Sequence, residues 1–320
     1  MTRSDQNPVS MLITGASGFL GSNAARYFAD KADVAAHGYK TAPAVANTRT
    51  AMFNLESEQE IRDAIRIARP DIVIHFAALK SPDDCKQYPQ YARRINIDGT
   101  RHIINYANDI GVPVIFISTD LVFDGRKGSY TESDTPNPVN YYGETKLIAE
   151  DITLSALNKN RVCRITLAYG KRFSSAPGGY LDSFLQSYNS NKTQNLFTDQ
   201  WRTPLFSGDL CSVLDALCFN LLEGKLDDCS RLYHIGGAEK MSRYELGKAI
   251  CSVFQLNEEL INPVTMDQSP LAAERGKDCS MDITTARTEL SYAPAPVLES
   301  LTFDKTIRQK ERNHGSISSN

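Results

Sequence analysis

The chain has 320 residues, length for one large or two modest domains, with 35 basic and 38 acidic side chains giving a net charge of −3. That balance argues against attachment to nucleic acid through phosphate neutralisation, and 41% hydrophobic with 23% charged residues is a globular rather than a disordered composition. No window reaches the run of about 18 apolar residues that a membrane span needs, and the polar stretch Met1 to Ser10 has no secretory core. The expectation is a cytoplasmic protein without membrane or nucleic-acid partners.

Along the first half, short β-rich apolar runs alternate with helical segments. Val9 to Thr14 reads as a strand, followed by a Gly-rich turn and a helix over Phe19 to Asp30. Val34 to Gly38 is a second strand, and Ser57 to Ala68 a helix capped by Ser57 with Glu60 three residues on. Asp71 to Ala77 is an unbroken apolar strand, Tyr88 to Ile110 carries helical periodicity, and Val112 to Ser118 is the next strand. Tyr142 to Leu157 reads as a helix and Arg161 to Leu167 as a strand.

Beyond Gly170 the apolar runs shorten. Helices are expected at Asp209 to Leu222 and Arg243 to Phe254, with a strand at Leu232 to Ile235. The alternation predicts an α/β protein with a Rossmann-type doubly wound parallel sheet. The expected division is a dinucleotide-binding domain over 1–168, to which 205–237 returns, and a smaller substrate lobe from 169–204 and 238–300. Residues 301–320 are expected as a partly disordered tail. Seven scattered cysteines without ligand spacing point to reduced thiols and no metal site.

Thr14-Gly15-Ala16-Ser17-Gly18-Phe19-Leu20-Gly21 stands between a strand and a helix. Glycines there let backbone amides approach a pyrophosphate, and the helix N-terminus adds partial positive charge. Gly15, Ser17, Gly18, Phe19, Leu20 and Gly21 are therefore cofactor candidates. Where NAD sites place a carboxylate on the ribose, this chain has His37-Gly38-Tyr39-Lys40. Lys40 could neutralise a 2′-phosphate, which favours NADP and leaves NAD open.

Ser118-Thr119-Asp120 closes one strand, and Tyr142-Gly143-Glu144-Thr145-Lys146 opens a helix. Tyr142 and Lys146 are four apart and share a helical face. A phenol titrating near 10 is a poor proton donor at neutral pH, and Lys146 is expected to lower its pKa while holding the nicotinamide ribose. Thr119 would share the substrate oxygen with Tyr142.

These motifs resemble the extended short-chain dehydrogenase/reductases, and within them the dTDP-4-dehydrorhamnose reductase-like group. The resemblance runs from about Met11 to Leu301. It includes His75-Phe76-Ala77-Ala78, Asn96-Ile97-Asp98-Gly99-Thr100, Ser118-Thr119-Asp120-Leu121-Val122-Phe123-Asp124-Gly125 and Asp199-Gln200-Trp201-Arg202-Thr203-Pro204, with Arg275-Gly276-Lys277-Asp278 further on. It implies that Ala77 and Ala78 flank the cofactor together with Ser118, that Asn54 and Leu55 sit by the adenine, and that Asn96 supports the catalytic lysine. Arg202 and Arg275 resemble positions near a nucleotide-sugar diphosphate, Trp201 could stack on the base, and Lys80 and Asp120 belong on the substrate side.

The implied activity is NAD(P)-dependent reduction of a 4-keto nucleotide sugar, with hydride from the nicotinamide and the proton from Tyr142. Two alternatives remain: an NAD-retaining nucleotide-sugar epimerase, and a non-catalytic NADP-binding subunit resembling the regulatory β subunits of methionine adenosyltransferase. A homodimer is compatible with the resemblance. Leu121 and Leu167 stand where the rhamnose-pathway reductases commonly carry Tyr and Trp, which argues against the rhamnose precursor as substrate.

Overall fold

The computed structural model describes residues 8–173, 178–268 and 275–317, with side chains as far as 311. The leading half runs β1 (Ser10–Thr14), α1 (Phe19–Phe28), β2 (Asp33–Gly38), β3 (Arg49–Met52), α2 (Glu58–Ala68) and β4 (Ile72–His75). It continues with α3 (Pro82–Gln87), α4 (Pro89–Arg93), α5 (Gly99–Asp109), β5 (Val114–Thr119), α6 (Tyr141–Ser155), β6 (Arg161–Ile165) and β7 (Ala168–Tyr169). Then come α7 (Tyr180–Asn189), β8 (Gln194–Phe197), β9 (Trp201–Arg202), β10 (Leu205–Phe206), α8 (Ser207–Leu222), β11 (Leu232–Ile235), β12 (Met241–Ser242) and α9 (Arg243–Phe254). β13 (Ile261–Val264), α10 (Thr284–Leu290) and α11 (Val297–Ile317) complete the described chain.

Seven parallel strands form one sheet in the order β11-β6-β5-β4-β1-β2-β3. The strand order reverses beside β1, the switch point where doubly wound sheets open a crevice at the carboxyl ends of their strands. β4 and β5 are buried along their whole length, which is why they read as unbroken apolar runs rather than alternating ones. One face packs on α1 and α8 through Phe28, Leu210, Leu214 and Leu217, and the other on α2 and α5 through Ile61, Ile65, Ile103 and Ile104. Each such side chain contributes about 1.5–3 kcal/mol by leaving water, so truncating one in the middle of either face costs about 2–5 kcal/mol.

A third core, built from Leu181, Phe184, Leu196, Leu246, Ile250 and Leu301, joins α7, α9 and α11 above the strand ends. Short ladders brace this region: β7 with β10, β9 with β12, and β8 with β13.

Three local readings differ from the sequence. The periodic stretch 88–110 is not one helix, because α4 gives way to a π-helical turn at Arg94–Asp98 before α5 begins. β3 is a mostly exposed edge strand whose polar residues gave no strand signal. Residues 301–317, expected to fray, are helical within α11. Its stability comes from charge as well as apolar spacing: Arg308 lies 2.5 Å from Asp304 one turn back and 2.7 Å from Asp182 on α7. Residues 318–320, also assigned to that tail, lie outside the described residues. Among those described, no helix is long and apolar enough to cross a membrane.

Candidate active site

Strand β1 ends in the Gly-rich turn, where Gly15 takes φ +72°, a left-handed conformation that disfavours other residues. A Cβ on Gly15 would also come within 2.9 Å of the Ala77 amide nitrogen, and one on Gly21 would overlap the Gly15 carbonyl. α1 starts at Gly18 with no side-chain cap, so its first-turn amides keep donor capacity towards the cavity in front of them. His37 secures the turn from β2: its Nδ1 accepts the Gly15 N–H at 3.0 Å, and its Nε2–H donates to the Phe53 carbonyl at 3.0 Å. Burial lowers its pKa to about 4, opposed only by the Phe53 bond, and a neutral ring fits that pair of roles.

The turn opens onto a cavity of about 820 Å³ along the carboxyl ends of β1, β2, β4, β5 and β6. Gly15, Ser17, Gly18, Phe19, Leu20, Gly21, Asn54, Leu55, Ala77 and Ala78 line it, with Lys80, Ser118, Thr119, Asp120, Tyr142, Lys146, Arg202 and Arg275. Three residues expected at the site do not. Lys40 is exposed, with its ammonium 5.8 Å from the ring of Tyr39, which does line the cavity. Trp201 is held in β9 and faces Lys240 at 5.7 Å. Asn96, in the π-helical turn, reaches neither the cavity nor Lys146. Its amide donates to the Leu79 carbonyl and to Thr145 Oγ1, both at 3.0 Å, and its Oδ1 accepts the Leu79 N–H at 2.8 Å.

Asn140 caps α6 by accepting the Gly143 N–H at 2.9 Å, and a Cβ on Gly143 would overlap the Leu121 carbonyl. The first turn of α6 thus lies against the end of β5, bringing Tyr142 to Thr119. The Thr119 side chain is close enough to act on the phenol, and Thr119 Oγ1 also lies 3.1 Å from Asp120 Oδ1. Burial raises the phenol pKa well above its ordinary value, the nearby Asp120 charge adds to this, and the Thr119 side chain opposes it. The expectation that Lys146 lowers that pKa is corrected. Its ammonium donates to the Ile117 carbonyl at 2.7 Å and sits 3.8 Å from the Phe116 ring centroid. Burial brings Lys146 itself down to about 7, against the pull of Glu150.

Sequence reasoning missed several members of this group. Glu150, one turn beyond Lys146, forms a buried ion pair with Arg164 of β6 at 2.7 Å and accepts the Ser118 hydroxyl. Its i+4 spacing from Lys146 was the available signal. Arg202 and Asp120 were both expected at the site, but not their pairing at 2.9 Å, both nearly water-free. Gln200 and Arg243, also lining the cavity, come from separate segments and meet only through the fold. Among the described residues, no cluster of His, Cys, Asp or Glu could hold a metal ion.

A doubly wound sheet, a Gly-rich turn at its switch point and a Tyr-Lys pair beside a strand-end Ser-Thr define an extended short-chain dehydrogenase/reductase. The model of the RmlD substrate binding domain matches residues 9–303, and the chain belongs to that family. It is 32% identical over 257 residues to methionine adenosyltransferase 2 subunit beta of Xenopus tropicalis, covering 79% of this chain and 75% of that one. A hypothetical dTDP-4-dehydrorhamnose reductase from Sulfolobus tokodaii superposes with a TM-score of 0.76 at 30% identity, over 91% of this chain and 99% of the other. The dTDP-4-dehydrorhamnose reductase of Bacillus anthracis, solved with NADP, gives a TM-score of 0.80 at 22% identity, over 94% and 99%.

Proposed function

We propose that this protein reduces a keto group on a nucleotide sugar, using NADP with NAD as the alternative dinucleotide. The observation that carries the reading is the approach of Tyr142 to Thr119 on the floor of a cavity whose other end is the Gly-rich turn. The residues present suit a dinucleotide. Uncapped amides at the start of α1 fit a diphosphate, Asn54 and Leu55 border the far end, and no carboxylate replaces His37 to repel a 2′-phosphate.

When bound, the nicotinamide supplies the hydride. Tyr142, its proton held by burial, donates to the carbonyl oxygen while the Thr119 hydroxyl fixes that oxygen's position. Asp120 braces Thr119, and Lys146, on the same face of α6, is available to a ribose hydroxyl. An epimerase cycle would call on the same Tyr142 and Lys146, with Tyr142 first as base and then as acid.

A second reading, a dinucleotide-binding regulatory subunit without turnover, is favoured by the 32% identity to a methionine adenosyltransferase subunit. Purified protein supplied with NADPH and a panel of keto nucleotide sugars separates the two. Oxidation of NADPH dependent on one sugar supports the reductase, whereas tight NADPH binding with no oxidation across the panel supports the regulatory subunit.

A further inference from the structure

We propose that Arg243, not Arg202, is the guanidinium that receives the substrate's anionic oxygens, and that Arg202 is a positioning residue acting through Asp120. The inference rests on the nucleotide-sugar reading and concerns which side chain has donors to give.

Arg202 has almost none left. Its Nε lies 2.9 Å from Asp120 Oδ2 in a buried ion pair, Nη1 donates to the carbonyls of Trp201 at 2.6 Å and Lys277 at 3.4 Å, and Nη2 donates to that of Gly276 at 3.2 Å. Three of its five N–H groups are thus bonded to carbonyls, and Nε is taken up in the ion pair with Asp120. Turning it towards a ligand would strand Asp120, which is 5% exposed, as an uncompensated charge. What Arg202 does is hold Asp120, whose other oxygen lies 3.1 Å from the Thr119 hydroxyl.

Arg243 is arranged differently. Its backbone is fixed at the first turn of α9 by the Ser242–Glu245 capping box and by its own N–H to the Gln200 carbonyl at 3.1 Å. Its side chain is oriented by the Tyr180 ring, 4.7 Å from the guanidinium carbon, and by one bond from Nε to Gln200 Oε1 at 3.1 Å. Nη1 is buried beside the Tyr180 hydroxyl, and neither makes a well-formed hydrogen bond among the described residues. Arg243 also lines the cavity that holds Tyr142 and Thr119. Asp120 is already paired with Arg202, and Arg275 pairs with Asp83 at 3.2 Å, so of these three lining arginines Arg243 is the one without a carboxylate partner among the described residues. A guanidinium that lines the cavity and is engaged by one side-chain bond keeps donors for a ligand, and an anionic oxygen is the strongest match for its fork.

That oxygen can belong to the diphosphate or to a carboxylate on the sugar. Calorimetry on the NADP-loaded protein, with UDP, dTDP and UDP-glucuronic acid as probes, distinguishes these sources. Arg243→Met should weaken binding about 10- to 100-fold, as expected for one lost charged hydrogen bond. A loss for all three probes assigns the diphosphate, and a loss for the glucuronate conjugate alone assigns the carboxylate; either supports the proposal. Arg243→Lys, which keeps the charge but not the fork, should recover part of the loss. Arg202→Lys should leave probe affinity within about threefold of wild type while lowering kcat at unchanged KM. Undiminished probe binding by Arg243→Met, or an equal loss in Arg202→Lys, overturns the assignment. Failure of the wild type to bind any probe overturns the nucleotide-sugar reading itself.

Discussion

Lys146 donates its ammonium to the Ile117 carbonyl at 2.7 Å, although Tyr142 lies four residues earlier on the same face of α6. The lysine thus ties α6 to the end of β5, and the phenol keeps its proton in the dinucleotide-free protein. With burial bringing Lys146 to about 7, it is charged below that pH and neutral above it. Capture of NADPH, read as kcat/KM for the dinucleotide, should therefore fall as pH rises through about 7, because that constant reports the free protein. In Lys146→Met the step should vanish. A wild-type profile that is flat between about pH 6 and 9 would show that the ammonium does not take part in capture.

Tyr142→Phe keeps the ring and removes the proton donor. The expected result is a loss of about 10²- to 10⁴-fold in kcat with NADPH affinity nearly unchanged, measured by stopped-flow and calorimetry. Wild-type turnover in this variant would remove Tyr142 from the mechanism.

The Gly-rich turn packs closely on itself. Gly21→Ala puts a methyl group into the Gly15 carbonyl, so either the turn opens or α1 shifts. Dinucleotide binding should be largely lost, with a destabilisation of about 1–3 kcal/mol in urea titration. Unchanged affinity would mean that the turn can move without consequence.

Glu150 and Arg164 are 2% and 4% exposed, and removing one leaves the other charge buried. Arg164→Met should cost about 3–5 kcal/mol, whereas Arg66→Ala, which breaks an exposed pair with Asp63, should have almost no effect. Comparable denaturation midpoints for the two variants would contradict the distinction.

Leu121 and Leu167 both line the cavity. Neither offers the flat face or the hydroxyl that an aromatic residue presents to a sugar. Slow turnover of dTDP-4-dehydrorhamnose is therefore expected, with a gain in kcat/KM for that compound in the Leu121→Tyr, Leu167→Trp double variant. Efficient wild-type turnover of it would refute this account of the pocket.

What could be read in advance was local. The β1–turn–α1 unit, the strand-end Ser118-Thr119 and the four-residue spacing of Tyr142 and Lys146 are short-range patterns, and the fold carries them into one cavity. What escaped was convergence from distant segments. Gln200 and Arg243 are 43 positions apart and meet through a side-chain bond that no local pattern encodes. Lys40, Trp201 and Asn96 had suitable chemistry at suitable positions, but the direction in which each side chain points depends on its packing. His37 was read only as a missing carboxylate, although its two ring nitrogens join the turn to Phe53. α11 was lost to apolar periodicity because Asp304 and Arg308, which pair within it, are charged.

The central claim is hydride delivery to a sugar carbonyl, and isotope transfer tests it most directly. Purified protein would be incubated with NADPH carrying deuterium at C4 of the nicotinamide and with the keto nucleotide sugar giving the fastest oxidation, and the product analysed by mass spectrometry. One deuterium on the former carbonyl carbon, absent when Tyr142→Phe is used, is the predicted result. A folded, NADPH-binding protein that transfers no deuterium to any sugar offered would contradict it.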